Sequence, residues 1–349
     1  MTAYTEFTLA AIQAAPVYFD REASTEKACR LIEEAAQNGA TLAAFSETWL
    51  PGYPFFREVK TSSLRRQADA AYLANAVKIP SPTTDRLCAA AQRANIDVAI
   101  GVVELDARTH GTVYCTLLFI GCDGKILGRH RKLKPTYGER TIWGEGDGLG
   151  LTVYERPYGR VSGLNCWEHM MLLPGYALMA QGTQIHVATW PTCAVSTNHL
   201  LSQAFAIQGG CYVIAVGALR SPEDVPEKFR PLLMGEERPK SRSCIIAPGG
   251  NVLAEAAAGE EAIVVAHGSL EEVLMAKARC DVGGHYSRPD VLQLLVHGQP
   301  LERIIQPEPV GTATRAASWA PAVRPFAIAA STPDNGQETH QTDEHTAVR

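Results

Sequence analysis

The chain has 349 residues, of which 46% are hydrophobic and 20% are charged, as is usual for a globular protein. The formal net charge is −5, and the sequence contains no large basic block. Both observations argue against binding to nucleic acid or to an anionic membrane surface. No apolar run approaches the roughly 18–20 residues that span a bilayer. We therefore expect neither a nucleic-acid partner nor a membrane partner.

Strand and helix patterns alternate along most of the chain. Short apolar runs predict strands, and apolar residues at helical spacing predict helices. In chain order we predict strand 7–15, helix 23–38, strand 42–45, helix 83–95, strand 98–103, strands 112–120 and 125–128 around an Asp-Gly turn, strand 160–164, a helix from Pro174 to near Gly182, strand 184–188, helix 198–208, and strands 211–216, 243–247 and 262–266. This alternation predicts a mixed α/β sheet protein.

The character of the chain changes after residue 306. Residues 307–349 are rich in Pro, Ala, Thr, Glu and Gln and contain few large apolar side chains. Such a segment cannot by itself bury enough apolar surface to offset the entropy lost on ordering. We predict a single domain over residues 1–306, followed by a C-terminal tail, residues 307–349, that is disordered or serves assembly.

The nine cysteines form no disulfide framework, because their number is odd and no Cys-x-x-Cys occurs. Unpaired thiols suit a reducing compartment, so we predict a cytoplasmic location. Residues 1–6 lack the features of a signal peptide, in agreement with that prediction. No second ligand pair accompanies Cys166 and His169, and the glycine-rich segment 144–150 lacks phosphate-binding spacing, so we predict neither a metal nor a cofactor.

Three residues with complementary chemistry follow predicted strands. Glu47 follows strand 42–45, Lys132 follows the hairpin, and Cys166 follows strand 160–164. A thiol is a nucleophile, a carboxylate can take its proton, and an ammonium can stabilise a developing negative charge. A lone cysteine after a strand is more often a small core residue, and a lone lysine usually lies at the surface. The prediction of an active site therefore depends on the three residues occurring together.

Longer motifs around these residues resemble the nitrilase superfamily of carbon–nitrogen hydrolases and, within it, the true nitrilases. The resemblance covers residues 7–295 and is carried by segments 44–53, 130–146, 166–169, 185–191 and 281–290. It implies a four-layer α-β-β-α sandwich with a Glu47, Lys132 and Cys166 triad. It also implies hydrolysis of a small-molecule nitrile to a carboxylic acid and ammonia, through thioimidate and thioester intermediates and without a cofactor.

Further expectations follow from the same resemblance. Glu139 and Trp167 are expected to position substrate or water, although a loop carboxylate paired with Arg140 is the other interpretation of Glu139. The helices after Cys166 and Thr197 are expected to join a homodimer into an α-β-β-α-α-β-β-α sandwich, from which helical filaments can grow. Two departures are present: segment 170–176 lacks the usual Pro-Leu and basic residue, and Cys115 stands where the family favours Asn.

Other functions are compatible with the same residues. An amidase or a cyanide-hydrolysing enzyme could use the Glu-Lys-Cys scaffold. A cysteine–histidine hydrolase would use His169 or His186 as its base, although the apolar strand around His186 favours a hydrogen-bonded core histidine. The last alternative is a scaffold protein without catalytic activity.

Overall fold

The computed structural model of the protein describes residues 4–233 and 240–299. In these ranges the α-helices are α1 (Arg21–Gln37), α2 (Ser63–Ala74), α3 (Pro82–Ala94), α4 (Leu172–Ala180), α5 (Thr197–Gly209) and α6 (Leu270–Arg279). The strands are β1 (Glu6–Gln13), β2 (Leu42–Phe45), β3 (Asp97–Leu105), β4 (Val113–Ile120), β5 (Ile126–Arg131), β6 (Tyr154–Arg156), β7 (Gly159–Asn165), β8 (Ile185–Trp190), β9 (Tyr212–Gly217), β10 (Cys244–Ile246), β11 (Val252–Glu255) and β12 (Ala262–Ser269).

The strands form two six-stranded mixed sheets. Their strand orders are β12-β1-β2-β3-β4-β5 and β11-β10-β9-β8-β7-β6. Strands β1, β2 and β3 are parallel, as are β7, β8 and β9. Antiparallel pairs extend both sheets on either side of these strands. Parallel strands need long crossovers, and helices of the predicted α/β pattern supply them.

The two sheets pack face to face between two layers of helices. In β1, Leu9 and Ala11 belong to the core between the sheets, whereas Ala10 and Ile12 pack with residues of α1 and α3. On the opposite side Phe205 of α5 belongs to a cluster with residues of α4 and the second sheet. Successive strand residues point to opposite faces, so fully apolar strands are expected in such inner layers. The predicted four-layer α-β-β-α sandwich is confirmed.

The predicted strands and helices all occur, with shifted ends. Helix α4 begins at Leu172, so the prediction that Pro174 occupies the first position was wrong. Proline is tolerated there because the first-turn N–H groups have no acceptor within the helix. Helices α2 and α6 and the short strands β6 and β11 were not predicted. Helix α2 carries Leu64, Ala68, Ala71 and Tyr72 at helical spacing, and these side chains pack in one apolar cluster, so the sequence contained a signal that the prediction missed.

The strands that precede the candidate residues end at one edge of the sandwich. Strand β5 runs in the same direction as β3, because two antiparallel pairings separate them, and β3 is parallel to β2. In the second sheet β7 is parallel to β8. The backbone N–H of Glu47, after β2, donates to the carbonyl of Trp190 at the end of β8, at 3.3 Å. The ends of both sheets therefore meet where the candidate residues lie.

Two further predictions concern the C-terminal tail and membrane-spanning helices. The boundary at residue 306 and the tail 307–349 lie outside the described residues. Within 4–233 and 240–299, no helix combines the length and apolar character needed to cross a membrane.

Gly101 of β3 makes room for the loop that carries Glu47. A Cβ at this position would lie 2.1 Å from the carbonyl oxygen of Ser46 and 2.4 Å from the amide nitrogen of Thr48. We expect Gly101→Ala to displace that backbone and to lower stability by roughly 1–3 kcal/mol, as overpacking does. Gly111→Ala is the control, because its nearest atom would be 3.7 Å away. Thermal unfolding of both variants tests this, and equal Tm values would refute it.

Candidate active site

Four buried, chemically competent side chains meet at this edge. The Lys132 ammonium donates to Glu47 Oε1 at 2.8 Å and to Glu139 Oε2 at 2.7 Å. The Cys166 sulfur and one oxygen of each carboxylate all lie within 4.8 Å of one another. None of the four residues is more than 4% exposed. The structure thus brings the predicted triad together and adds Glu139 to it.

Cys166 projects from a sharp backbone turn. It directly follows β7 and begins a 3-10 helix, Cys166–Met170, with a φ of 52°. Thr48 and Tyr137, in the loops that carry Glu47 and Glu139, also have positive φ values of 44° and 45°. Each such conformation costs a non-glycine residue of order 1–3 kcal/mol, and surrounding contacts must hold it. All three loops of the site are therefore held in place by tertiary contacts.

Two histidines, the half-buried His169 and the buried His186, support the turn at Cys166. His169 Nδ1 donates to the Cys166 carbonyl at 2.7 Å, and its Nε2 lies 3.1 Å from Nε2 of His186. Burial lowers the pKa of His169 to about 4 and lowers that of His186 well below its usual value, so both rings are neutral at neutral pH. His186 also contacts Ser162, which confirms it as a hydrogen-bonded core histidine. The nitrogens of both rings are engaged in these contacts, so neither histidine is placed to act as the base of a cysteine–histidine hydrolase.

Glu168 connects the backbone next to Lys132 with the backbone next to Cys166; we call this connection the Glu168 clamp. Its carboxylate accepts from the backbone N–H of Leu133 and of Asn165, both at 2.8 Å, and from His130 Nε2 at 2.9 Å. Burial raises the pKa of Glu168, but His130 and the backbone donors outweigh it, so the net pKa is lowered. An ionised acceptor thus fixes the residues next to Lys132 and Cys166. The motif containing Glu168 was recognised, but this role was not predicted.

Glu139 belongs to the site and does not pair with Arg140. Its Oε1 accepts from the Tyr53 hydroxyl at 2.8 Å, and its Oε2 accepts from the Thr136 N–H at 2.7 Å in addition to Lys132. The Arg140 side chain donates instead to a backbone carbonyl. Tyr53 was missed as a site residue, because its contact with Glu139 spans 86 positions of the chain.

Burial and mutual charge set the protonation of the site. Burial raises the pKa of Glu47 to about 7, with Lys132 lowering it and Glu139 raising it. Burial lowers the pKa of Lys132, but Cys166, Glu47 and Glu139 raise it more, so the net pKa lies well above the usual value. Burial and Glu47 together raise the pKa of Cys166 well above its usual value, against Lys132. At neutral pH the site holds a neutral thiol, an ammonium and a base close to its titration midpoint.

The Lys132 ammonium occupies the cation position between the carboxylates. A thiol and two carboxylates at this spacing also resemble a ligand set for a metal ion. However, Lys132 already donates to both Glu47 and Glu139 and neutralises part of their charge. The arrangement therefore supports acid–base and nucleophilic chemistry without a metal.

A cavity of about 270 Å³ gives access to Cys166. Trp167, which is 42% exposed, lies at its wall, and the ring of Tyr137 contacts it edge-on at 6.5 Å between centroids. A larger cavity of about 510 Å³ shares Tyr53 and Pro191 with the first but is not lined by Cys166. Of these two cavities, only the smaller is lined by Cys166.

The sandwich fold and its buried carboxylate, ammonium and thiol define a carbon–nitrogen hydrolase. The model of the carbon–nitrogen hydrolase family matches residues 8–277. The chain belongs to this family, and it is a hydrolase of carbon–nitrogen bonds. This membership confirms the resemblance recognised in the sequence motifs.

Within this family, the chain is similar to proteins that are named nitrilases. The chain is 53% identical to Nitrilase 2 of an unknown prokaryotic organism over 310 residues, which are 87% of this chain and 97% of that protein. It is 38% identical to an aliphatic nitrilase of Rhodococcus rhodochrous over 314 residues, with 84% of each chain covered. Its fold resembles the crystal structure of Saccharomyces cerevisiae Nit3, of branch 10 of the nitrilase superfamily, with a TM-score of 0.64 and 19% identity over 81% of this chain and 97% of that one.

The clamp at Glu168 can be tested by one substitution. In Glu168→Gln one carboxylate oxygen becomes an NH₂ group, which faces N–H donors and cannot accept from them. We expect a loss of roughly 1–3 kcal/mol in stability, the cost of unsatisfied buried donors. Glu155→Gln is the control, because Glu155 is 76% exposed and pairs only at the surface with Arg160. Denaturant unfolding measures the difference, and a Glu168→Gln variant as stable as the control would contradict the clamp.

Proposed function

We propose that the protein is a nitrilase that hydrolyses a nitrile to a carboxylic acid and ammonia. The observation that carries this proposal is the buried cluster of Cys166, Glu47, Lys132 and Glu139 behind a small cavity. The relatives named nitrilases, at 53% and 38% identity, support the same reaction. The reaction adds two waters and involves no net oxidation or reduction, so the residues of the chain suffice for it.

The first half of the proposed mechanism forms a covalent intermediate. The Cys166 sulfur attacks the nitrile carbon while Glu47 takes the thiol proton. The pKa of Glu47, about 7, suits a base that accepts and returns a proton at neutral pH. That proton passes to the nitrile nitrogen, which yields a thioimidate. Lys132 stabilises the negative charge that develops on the nitrogen, as a preorganised electrostatic donor does.

The second half releases the two products. Glu47 activates a water that adds to the thioimidate carbon. The carbon–nitrogen bond then breaks with protonation of the nitrogen, which leaves as ammonia, and a thioester remains. A second water, activated in the same way, attacks the thioester carbon. The carbon–sulfur bond breaks, the carboxylic acid leaves and the thiol of Cys166 is restored.

We assign positioning functions to two further residues. Glu139 shares the Lys132 ammonium with Glu47 and is held by Tyr53, so it can orient the lysine and bind the attacking water. The N–H of Trp167 interacts with the Cys166 sulfur and lowers the pKa of that thiol against the larger effect of burial. Trp167 lies at the wall of the cavity, where its side chain would contact a bound substrate.

The nucleophile, base and ammonium can each be removed. We expect Cys166→Ala to abolish turnover and Cys166→Ser to be nearly as damaged, because a hydroxyl is a weaker nucleophile. Glu47→Gln should lose several orders of magnitude, and Lys132→Ala should lose on the order of 10²–10³ in kcat. Lys132→Arg should not restore activity, because a planar guanidinium does not replace an ammonium point charge.

Ammonia release from a panel of substrates measures these effects and separates the alternatives. The panel contains an arylacetonitrile, an aliphatic dinitrile, an aromatic nitrile, cyanide and a matching amide. Turnover of cyanide alone would assign a cyanide-hydrolysing enzyme, and turnover of the amide alone would assign an amidase. Nitrile turnover by Cys166→Ala at the parent rate would overturn the assignment of the nucleophile. No turnover on any substrate would leave the scaffold interpretation.

We also propose that the protein is a homo-oligomer, built from dimers that can extend into helical filaments. Helices α4 and α5 and the residues beside them carry exposed apolar side chains: Leu172 is 78% exposed and Leu200 is 66% exposed. The two helices are neighbours, since Gly175 of α4 lies close to the ring of Phe205 of α5, and apolar side chains that such neighbours leave exposed are candidates for an interaction surface. The other members of this apolar face are Met170, Leu173, Val195 and Ile207.

Lysine substitutions on the apolar face test whether this face forms the subunit interface. We expect the double variant Leu172→Lys, Leu200→Lys to dissociate into monomers, because burying two ammonium groups is unfavourable. Leu149→Lys, at an exposed position outside α4 and α5, should leave assembly unchanged. Light scattering at micromolar concentration measures the mass. A parent protein that is monomeric, or a double variant that keeps the parent mass, would refute an interface on this face.

Two further proposals complete this assignment. A cytoplasmic location is supported by nine unpaired thiols, including the nucleophile, which a reducing compartment preserves. We further propose that the catalytic domain occupies residues 1–306 and that residues 307–349 are a tail dispensable to the site.

A further inference from the structure

A second thiol contacts the carboxylate of Glu47. Cys115, on β4, donates from its sulfur to Glu47 Oε1 at 3.3 Å, and both residues are 1% exposed. The same oxygen accepts from the Lys132 ammonium at 2.8 Å. No donor among the described residues reaches the other oxygen, Oε2, which is also buried. One oxygen of the carboxylate is therefore held from two sides, and the other is left to exchange protons.

The thiol of Cys115 acts as a donor in this contact. Burial and the charge of Glu47 raise the pKa of Cys115 well above its usual value, so the thiol keeps its proton. An S–H group is a weak donor, weaker than a hydroxyl in the same position. Hydrogen bonds to the ionised form of a carboxylate lower its pKa. A weak donor therefore leaves the pKa of Glu47 higher than a strong donor would.

Packing alone accounts for part of the environment of Cys115. Its side chain belongs to an apolar cluster with Val113 and Trp143, where a small hydrophobic residue fills space. Packing requires only volume, whereas the contact with Glu47 Oε1 requires a donor. The two roles therefore predict different consequences for substitutions that conserve volume and change the donor.

We infer that Cys115 is a positioning residue for the general base: with Lys132 it fixes the orientation of the Glu47 carboxylate, and its weak S–H donor sets the pH at which Glu47 becomes active. This inference rests on the proposed role of Glu47. Other ionisable groups also act on this carboxylate from the elements packed around it, and the Cys115 substitutions leave all of them in place: they are Lys132, Glu139, Cys166, Tyr53 and Tyr72.

Two substitutions should move the pH profile in opposite directions. For the parent, kcat/KM should rise with pH through about 7, because the active base is the deprotonated form of Glu47. Cys115→Ala removes the donor and should move this acidic limb to higher pH, by roughly half a unit for one weak hydrogen bond. Cys115→Ser supplies a stronger donor of similar size and should move the limb to lower pH. Ammonia release across the pH range measures both shifts.

Two control variants show whether altering a buried thiol elsewhere in the protein also moves the pH profile. Cys211 is also fully buried but lies before β9, where Lys277 is the charged group that affects its pKa. Cys211→Ala and Cys211→Ser should keep the acidic limb of the parent. If both Cys115 variants also keep it, whatever their turnover, Cys115 is a packing residue and the inference fails. If Cys115→Ala does not fold, the direction of the Cys115→Ser shift decides.

A second readout separates this inference from the proposed function. Alkylation of Cys166 by iodoacetamide, followed by peptide mass spectrometry, reports base-assisted thiol deprotonation without any substrate. Its rate should show the same opposite shifts in Cys115→Ala and Cys115→Ser. If the two variants show these shifts in alkylation but the parent hydrolyses no nitrile, the proposed reaction is refuted and the role of Cys115 is supported. If the parent hydrolyses nitriles but neither variant shifts the pH profile, the proposed reaction is supported and the role of Cys115 is refuted.

Discussion

The buried ammonium of Lys132 is the interaction on which the rest of the site depends. A charge removed from water is tolerated only where opposite charges and hydrogen bonds replace the lost hydration. Lys132 meets this requirement with Glu47 and Glu139, at 2.8 and 2.7 Å. Breaking such a buried pair from one side costs about 3–5 kcal/mol, because a charge is left unpaired. The lysine therefore holds the loop after β2 against the loop after β5 before any substrate binds.

The same electrostatics determine how the nucleophile is activated. Many reactive cysteines are preformed thiolates next to a positive charge. In this site burial and Glu47 raise the pKa of Cys166 more than Lys132 lowers it, so the resting sulfur is a neutral thiol. In the proposed mechanism the proton leaves as the sulfur attacks, so the rate depends on the position and basicity of Glu47. The inferred effect of Cys115, whose thiol donates to Glu47, would reach the chemistry through that carboxylate.

Cys166 and the part of the apolar face on α4 belong to one continuous segment. Cys166 begins the 3-10 helix Cys166–Met170, and α4 follows almost directly with the exposed Leu172. Glu168 anchors the middle of this segment to the backbone beside Lys132. A second subunit on the apolar face would therefore contact the chain only a few residues from the catalytic sulfur. In the proposed assembly, the interface and the proposed nucleophile therefore share this structural element.

The sequence by itself determined the alternation of strands and helices, because apolar periodicity is local. The four-layer sandwich and the grouping of Glu47, Lys132 and Cys166 were expected from the resemblance of longer motifs to the nitrilase superfamily, since periodicity alone does not say how two sheets pack. The prediction missed α2, although its apolar residues Leu64, Ala68, Ala71 and Tyr72 stand at helical spacing. Only the tertiary structure decided the roles of Tyr53, Cys115 and Glu168, whose contacts span 86, 68 and 35 positions of the chain. Contacts at such separations, and the pKa values they set, depend on side-chain directions and burial, which exist only once the two sheets have packed.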